Sequence, residues 1–334
     1  MNLIFETNYA IFSIFASLLI TEIVGSVVLL LFYDAAKAKV LEYIIPIWEV
    51  TGTFGAFWVV TGDMAYPNLL IPVASIFGAL LTVFLVLLVA RNATIVYGEF
   101  IVKKRWLDER KLYKGYAVST LLMGVTVLIL VSALISGAGV LSNVSPLAST
   151  FNVSSWASKA GSWLFLFGTL LIAIGVAPIF FDIRPFARKF VPLAVIGVLV
   201  SVGAYYEYSS SLVTTYMAVP VVLTLLAGLL YIPKKTASML ANKAIFITFL
   251  SIIIFSLQSL IYPKFIGQAL SIDSLTAKGP MVPVFYETTW GGGALLVVIL
   301  LIYIWMAYRQ KGLETEPRGS TSSAPTSGPA QPVV

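Results

Sequence analysis

The chain has neither cysteine nor histidine anywhere in its 334 residues. That excludes disulfides, thiolate sites and imidazole ligands at once, and leaves thioether or carboxylate ligation, which is rare for haem. Any redox centre the chain works with is therefore expected on a partner. Charge is scarce as well: Asp, Glu, Lys and Arg make up 11% of residues, roughly half the fraction in an ordinary soluble domain. The first nine residues contain Glu6 but no Lys or Arg. They lack the positive segment of a secretory signal, so the first apolar run is expected to stay as a helix.

Apolar residues are abundant, at 59% with a mean hydropathy of +0.96. Runs of about 20 residues, each long enough to cross a hydrocarbon layer of about 30 Å as a helix, recur along the whole chain. They fall near residues 10–33, 41–60, 69–90, 113–136, 161–181, 190–206, 212–232, 243–262 and 290–308. The second is interrupted by Glu49, Thr51, Gly52 and Thr53. The expected fold class is an all-α integral membrane protein of about nine transmembrane helices, with residues 1–312 as one polytopic domain. Residues 313–334, rich in Gly, Ser, Thr, Ala and Pro, are expected to form a disordered cytoplasmic tail.

The formal charge of +6 does not point to nucleic acid, because the basic residues sit in short connections between apolar runs. Lys37 and Lys39, the stretch from Arg91 to Lys114, Arg184 to Lys189, Lys234 to Lys243 and the C-terminal Arg309, Lys311 and Arg318 alternate with connections holding only Lys159, Lys264 and Lys278. Eighteen of the 21 cations thus fall on one side. The positive-inside rule then predicts the N-terminus outside and the C-terminus inside. Asn143 and Asn152 lie in outer connections within glycosylation acceptor patterns, and Asn92 lies in a third on the inner side. Trp106, Trp156, Trp163, Trp290, Tyr205, Tyr206, Tyr208 and Tyr308 are expected as interfacial anchors. Gly291, Gly292 and Gly293 are expected to open the last helix.

Ionisable groups inside a bilayer mark functional sites by default. Glu22 and Glu49 are the two that lie well within apolar runs, both nearer the inner side. Gly25 and Ser26 share the face of Glu22, and Gly52, Thr53 and Ala56 share that of Glu49. Such small residues permit close helix approach. Desolvation penalises a charged carboxyl, which suits a group that takes up and releases protons. The alternative at both positions is a carboxyl acting only as a hydrogen-bond donor between helices.

The stretch Ile45-Pro46-Ile47-Trp48-Glu49, with Gly52, Thr53 and Phe57-Trp58 after it, resembles the start of helix 2 in subunit II of cytochrome bd-type quinol oxidases. Val50-Thr51 stands where that family has Gly-Asn, and Glu22 stands where it tends to have an Asp on helix 1. Arg91 to Tyr97 resemble the family's Arg-bearing exit from helix 3, with the acid displaced to Glu99. Tyr262-Pro263, Leu270-Ser271 and a last helix ending Tyr303-Ile304-Trp305-Met306-Ala307-Tyr308-Arg309 resemble its closing hairpin. The middle third matches in hydropathy alone, as a divergent, archaeal member would.

The resemblance implies a haem-free scaffold subunit in a prokaryotic cell membrane. Its partner would be a first subunit that holds haems b and d, oxidises quinol and reduces oxygen to water. It further implies a cytoplasmic proton path through Glu49 and Glu22, flanked by the helix 2 motif of Trp48, Gly52, Thr53 and Trp58, and allows a structural quinone. Two rival readings are a proton-coupled secondary transporter and the membrane anchor of another respiratory or sulfur-metabolising complex. The nine-helix pattern lacks the pair of broken helices in matching halves that common transporter designs use.

Overall fold

The computed structural model describes residues 3–100, 108–141, 150–181, 183, 187–208, 243–256, 264–265 and 270–314. The expected span at 212–232, Asn143, Trp106, Tyr262-Pro263, the side chain of Tyr308 and residues 315–334 of the tail lie outside them. The main elements are α1 (Leu3–Leu31), α2 (Tyr33–Ala65), α3 (Leu70–Phe100) and α4 (Glu109–Ser136). Next come β1 (Val140–Leu141), β2 (Thr150–Phe151), α5 (Val153–Ala157), α6 (Ala160–Phe180) and α7 (Ala187–Tyr208). The last are α8 (Lys243–Ser256), β3 (Lys264–Phe265), β4 (Leu270–Ser271), α9 (Ile272–Leu275) and α10 (Met281–Glu314). The chain is a helical, multi-pass membrane protein. Among the described residues six helices are long and apolar enough to span a bilayer, or seven counting the bent α2 as one span.

Helix ends differ from the apolar runs wherever charged side chains find partners. Helix α2 begins at Tyr33 rather than residue 41, and α3 continues to Phe100 rather than stopping at residue 90. Lys37, Lys39 and Glu42 are good helix formers that a hydropathy window counts as loop. Arg91, expected among the cations of the connection after α3, lies inside that helix and is buried. Glu49, Thr51, Gly52 and Thr53 do not interrupt α2; the bend of 40° falls at Pro46, where the backbone has no N–H to donate. Helix α3 kinks at Phe77, whose buried ring sits 5.5 Å from that of Phe151 on β2.

Helix α1 is the centre of the first unit and packs against α2, α4, α6 and α8. Along it Asn8, Ser13, Ser17, Thr21, Glu22 and Ser26 are all buried, an unusual number of polar groups for a helix in lipid. Three of them are quieted locally: Ser13 donates to the Tyr9 carbonyl, Ser17 to that of Ile14 and Thr21 to that of Ser17, each at 2.7 Å. Others tie helices together. Ser17 and Ser251 of α8 share a hydrogen bond of 2.8 Å, and Asn8 donates to Thr61 of α2 at 3.2 Å. The apolar core is built from Val24, Val28, Leu29, Val40, Ile44 and their neighbours on α4 and α6.

The two ends of the bundle are pinned differently. At one end Lys37 pairs with Glu109 at 2.6 Å and Arg110 with Asp34 at 3.1 Å, tying the α1–α2 elbow to the start of α4. These pairs are partly exposed and are worth about 1 kcal/mol or less each. At the other end two short antiparallel pairs, β1 with β2 and β3 with β4, close the connections. There Asn152 caps α5 by accepting from the Ser155 N–H at 2.9 Å. Trp156 is not an interfacial anchor: it is buried, and its indole N–H donates to Ser132 of α4 at 2.7 Å. Trp163 and Tyr206 are exposed, as anchors should be.

Residues from Pro283 onward form a second compact unit whose described part is α10. Pro283 sits in its first turn, where a missing N–H goes unnoticed. Gly291, Gly292 and Gly293 consequently lie within the helix and do not open it.

Helices α6 and α7 approach through Gly168, Gly175 and Gly197. A Cβ on Gly197 would meet the Gly168 carbonyl oxygen at 2.6 Å and the Ile172 nitrogen at 2.7 Å, both backbone atoms that cannot step aside. Gly197→Ala should therefore destabilise the purified protein by about 1–3 kcal/mol in detergent melts. Gly52→Ala, where nothing lies within 4 Å, should leave the melting temperature unchanged.

Candidate functional site

Glu22 on α1 lies nine residues before Leu31, about 14 Å from the charged end of the bundle. It is fully buried, and its Oε2 accepts from the Arg91 guanidinium of α3 and from the Tyr116 hydroxyl of α4, the latter at 3.1 Å. Arg91 is 1% exposed and Tyr116 0%. Arg91 Nη1 also donates to Asn92 Oδ1 at 3.2 Å, and the guanidinium carbon stands 5.8 Å from the Tyr116 ring centroid. One carboxylate thereby ties three helices together.

The local sequence permits this convergence. Gly25 lets Ile44 of α2 close against α1 one turn beyond Glu22, and Gly124 of α4 accepts Ile23. At Gly98 and Gly115 the α3–α4 pair is tight enough that a Cβ would lie 3.3 Å from Tyr113 and from Thr94 respectively. Tyr113 in turn donates to Glu99, so α3 and α4 share a second polar tie nearer the charged end.

Glu49 is placed differently. Gly25 lies against Ile44, Phe15 against Gly55 and Asn8 against Thr61. This antiparallel register puts Glu49 at about the depth of Glu22. Its side chain, however, is on the exposed side of α2 together with Gly52, Thr53, Ala56, Val59 and Val60. Thr53 donates back to the Glu49 carbonyl at 2.9 Å. The helix 2 motif thus divides. Trp48 packs against the core, and the Trp58 ring lies tilted 4.9 Å from that of Phe12 and stacked 5.8 Å from that of Phe15 of α1. Glu49, Gly52 and Thr53 face away from the chain's own core. Glu22 and Glu49 are consequently not brought together within this chain.

Arg91 and Tyr116 complete the site; from sequence Arg91 was read only as part of the exit from helix 3, and Tyr116 was not singled out. A usable signal existed: a carboxyl committed to the interior demands an opposite charge at matching depth. Arg91 is the basic residue within the apolar part of α3. Among the described residues no group of three or more metal-ligating side chains comes together.

No family model matches the chain, and no curated protein matches it. A chain of the bd oxidase from Geobacillus thermodenitrificans superposes with a TM-score of 0.67, covering 91% of this chain and 98% of that one. The fold is similar to that of a bd oxidase chain. Identity between the two is 14%, so the likeness concerns the path of the backbone through nearly the full length of both.

Removing one member of the buried pair should be costly. Glu22→Ala strands the Arg91 charge and should destabilise the protein by about 3–5 kcal/mol, whereas the double replacement Glu22→Leu with Arg91→Met should recover most of that loss. A double-mutant cycle on detergent melting curves measures the difference.

Proposed function

We propose that this chain is the haem-free second subunit of a bd-type quinol:oxygen oxidoreductase, stabilising a haem-bearing partner and lining a proton path at their boundary. The observation that carries the reading is Glu49: a carboxyl at mid-helix depth on an outward face, beside glycine at an open position. A carboxyl left against lipid is expensive. A polar partner surface or a wetted seam removes that cost. The fold likeness over nearly the whole chain supports a bd oxidase subunit as the setting.

The chain's own donors do not fit a haem, because it has no histidine or cysteine to serve as axial ligand. Haems b and d are assigned to the partner. No residue is assigned to a structural quinone. The expected location is a prokaryotic cell membrane, with the end bearing Asp34, Lys37, Glu109 and Arg110 toward the cytoplasm.

In this reading Glu49 takes a proton from the cytoplasmic side and passes it toward the partner across the face shared with Gly52 and Thr53. Trp48 and Trp58, on the opposite side of α2, hold that face steady against α1. Glu22, placed with Glu49 on the path by resemblance, is assigned here to anchoring, since Arg91 and Tyr116 already occupy one of its oxygens.

The tagged chain should co-purify in mild detergent with a second polypeptide whose reduced-minus-oxidised spectrum carries b- and d-type haem bands. Isolation without a haem-bearing companion would instead favour the transporter reading, and a companion from another respiratory complex the anchor reading. Within the oxidase, Glu49→Gln should slow oxygen consumption on the order of tenfold or more while leaving haem content intact. Full turnover in that variant would remove Glu49 from the path, and loss of haem would make it an assembly residue.

A further inference from the structure

The buried pair is incompletely satisfied. Glu22 Oε1, Arg91 Nε and Ser26 Oγ are all shielded from solvent and have no hydrogen-bond partner among the described residues. Two of the three belong to one ion pair, and the third lies one helical turn away. Glu22 Oε1 and Arg91 Nε are on the two groups already joined through Glu22 Oε2. Ser26 is one helical turn from Glu22 on the same face of α1, with side-chain bases about 5–6 Å apart. Other buried hydroxyls on α1, at Ser13, Ser17 and Thr21, bond to a carbonyl of the preceding turn. Ser26 does not.

Orphaned buried polar atoms each cost about 1–3 kcal/mol, and three around one ion pair would undo much of its value. What satisfies them must donate to a carboxylate oxygen, accept from a guanidinium N–H and do either with a hydroxyl. It must also be uncharged: an anion would repel Glu22, a cation would repel Arg91, and the pair itself is neutral. A small molecule with both donors and acceptors meets all of this, and water is the smallest.

We propose that Glu22, Ser26 and Arg91 form an internal water site, in which one bound water donates to Glu22 Oε1, accepts from Arg91 Nε and bonds to Ser26 Oγ. Buried waters typically make about three hydrogen bonds to otherwise unsatisfied groups, and this site offers that number. The water completes the hydrogen bonding of the pair. This inference is independent of Glu49 and of the oxidase reading.

The test is a density map of the intact protein, purified with its companions, at a resolution of about 2 Å, where ordered waters are visible. A peak within hydrogen-bond distance of all three atoms is the expected result. Two alternatives would overturn it. In one, Arg91 rotates to place Nε on Glu22 Oε1 as a two-pronged fork. In the other, Ser26 donates to Glu22 or to a backbone carbonyl with no peak between them. A second measurement uses Ser26→Ala and Ser26→Leu. Alanine leaves the water in place and should lower the melting temperature by a few degrees at most. Leucine fills its position and should lower it clearly further. Equal melting temperatures for the two would also overturn the proposal.

Discussion

A single carboxylate sets the arrangement of three of the first four helices. Glu22 cannot remain charged inside a lipid-embedded bundle without Arg91, and Arg91 cannot be buried without Glu22. Their meeting fixes α1 against α3. The hydroxyl of Tyr116 adds α4 to the same point. A pair of this kind adds little net stability relative to an apolar substitute, but it penalises every alternative rotation of α3 about its own axis. That matters in a membrane, where lipid and leucine are nearly equivalent and apolar contact alone specifies poorly how helices face one another.

Around this point the helices solve the problem of polar groups in lipid in two ways. Most Ser and Thr side chains fold back on their own helix, as Thr120 does to the Tyr116 carbonyl at 2.8 Å and Thr169 to that of Phe165 at 2.8 Å. They behave as small, nearly apolar spacers. A few reach across, at Ser17 with Ser251 and Asn8 with Thr61, and these define the neighbours of α1. Glycine does the remaining work where backbones must nearly touch, most tightly between α6 and α7.

Helix α2 has two unlike sides. The inward side carries bulky aromatic rings that lock onto α1. The outward side carries Glu49, Gly52, Thr53 and Ala56, followed by Val59 and Val60. Both sides come from the same dozen residues, because the helical period of 3.6 sends neighbours such as Trp48 and Glu49 in different directions.

The sequence by itself determined that this is a multi-pass helical membrane protein and where most spans lie, because length and hydropathy follow directly from the thickness of a bilayer. It also marked Glu22 and Glu49, since charge in an apolar run is conspicuous. It did not reveal that Arg91 answers Glu22, because a cation near the end of a long apolar run reads equally as loop or as helix. Nor did it show that Trp156 is interior, since an interfacial and a buried tryptophan have the same local pattern. Which side of α2 faces inward, and hence that the two acids point apart, was decided by the tertiary structure alone. It depends on how α1 and α2 rotate against each other, and that rotation is set by contacts between residues tens of positions apart.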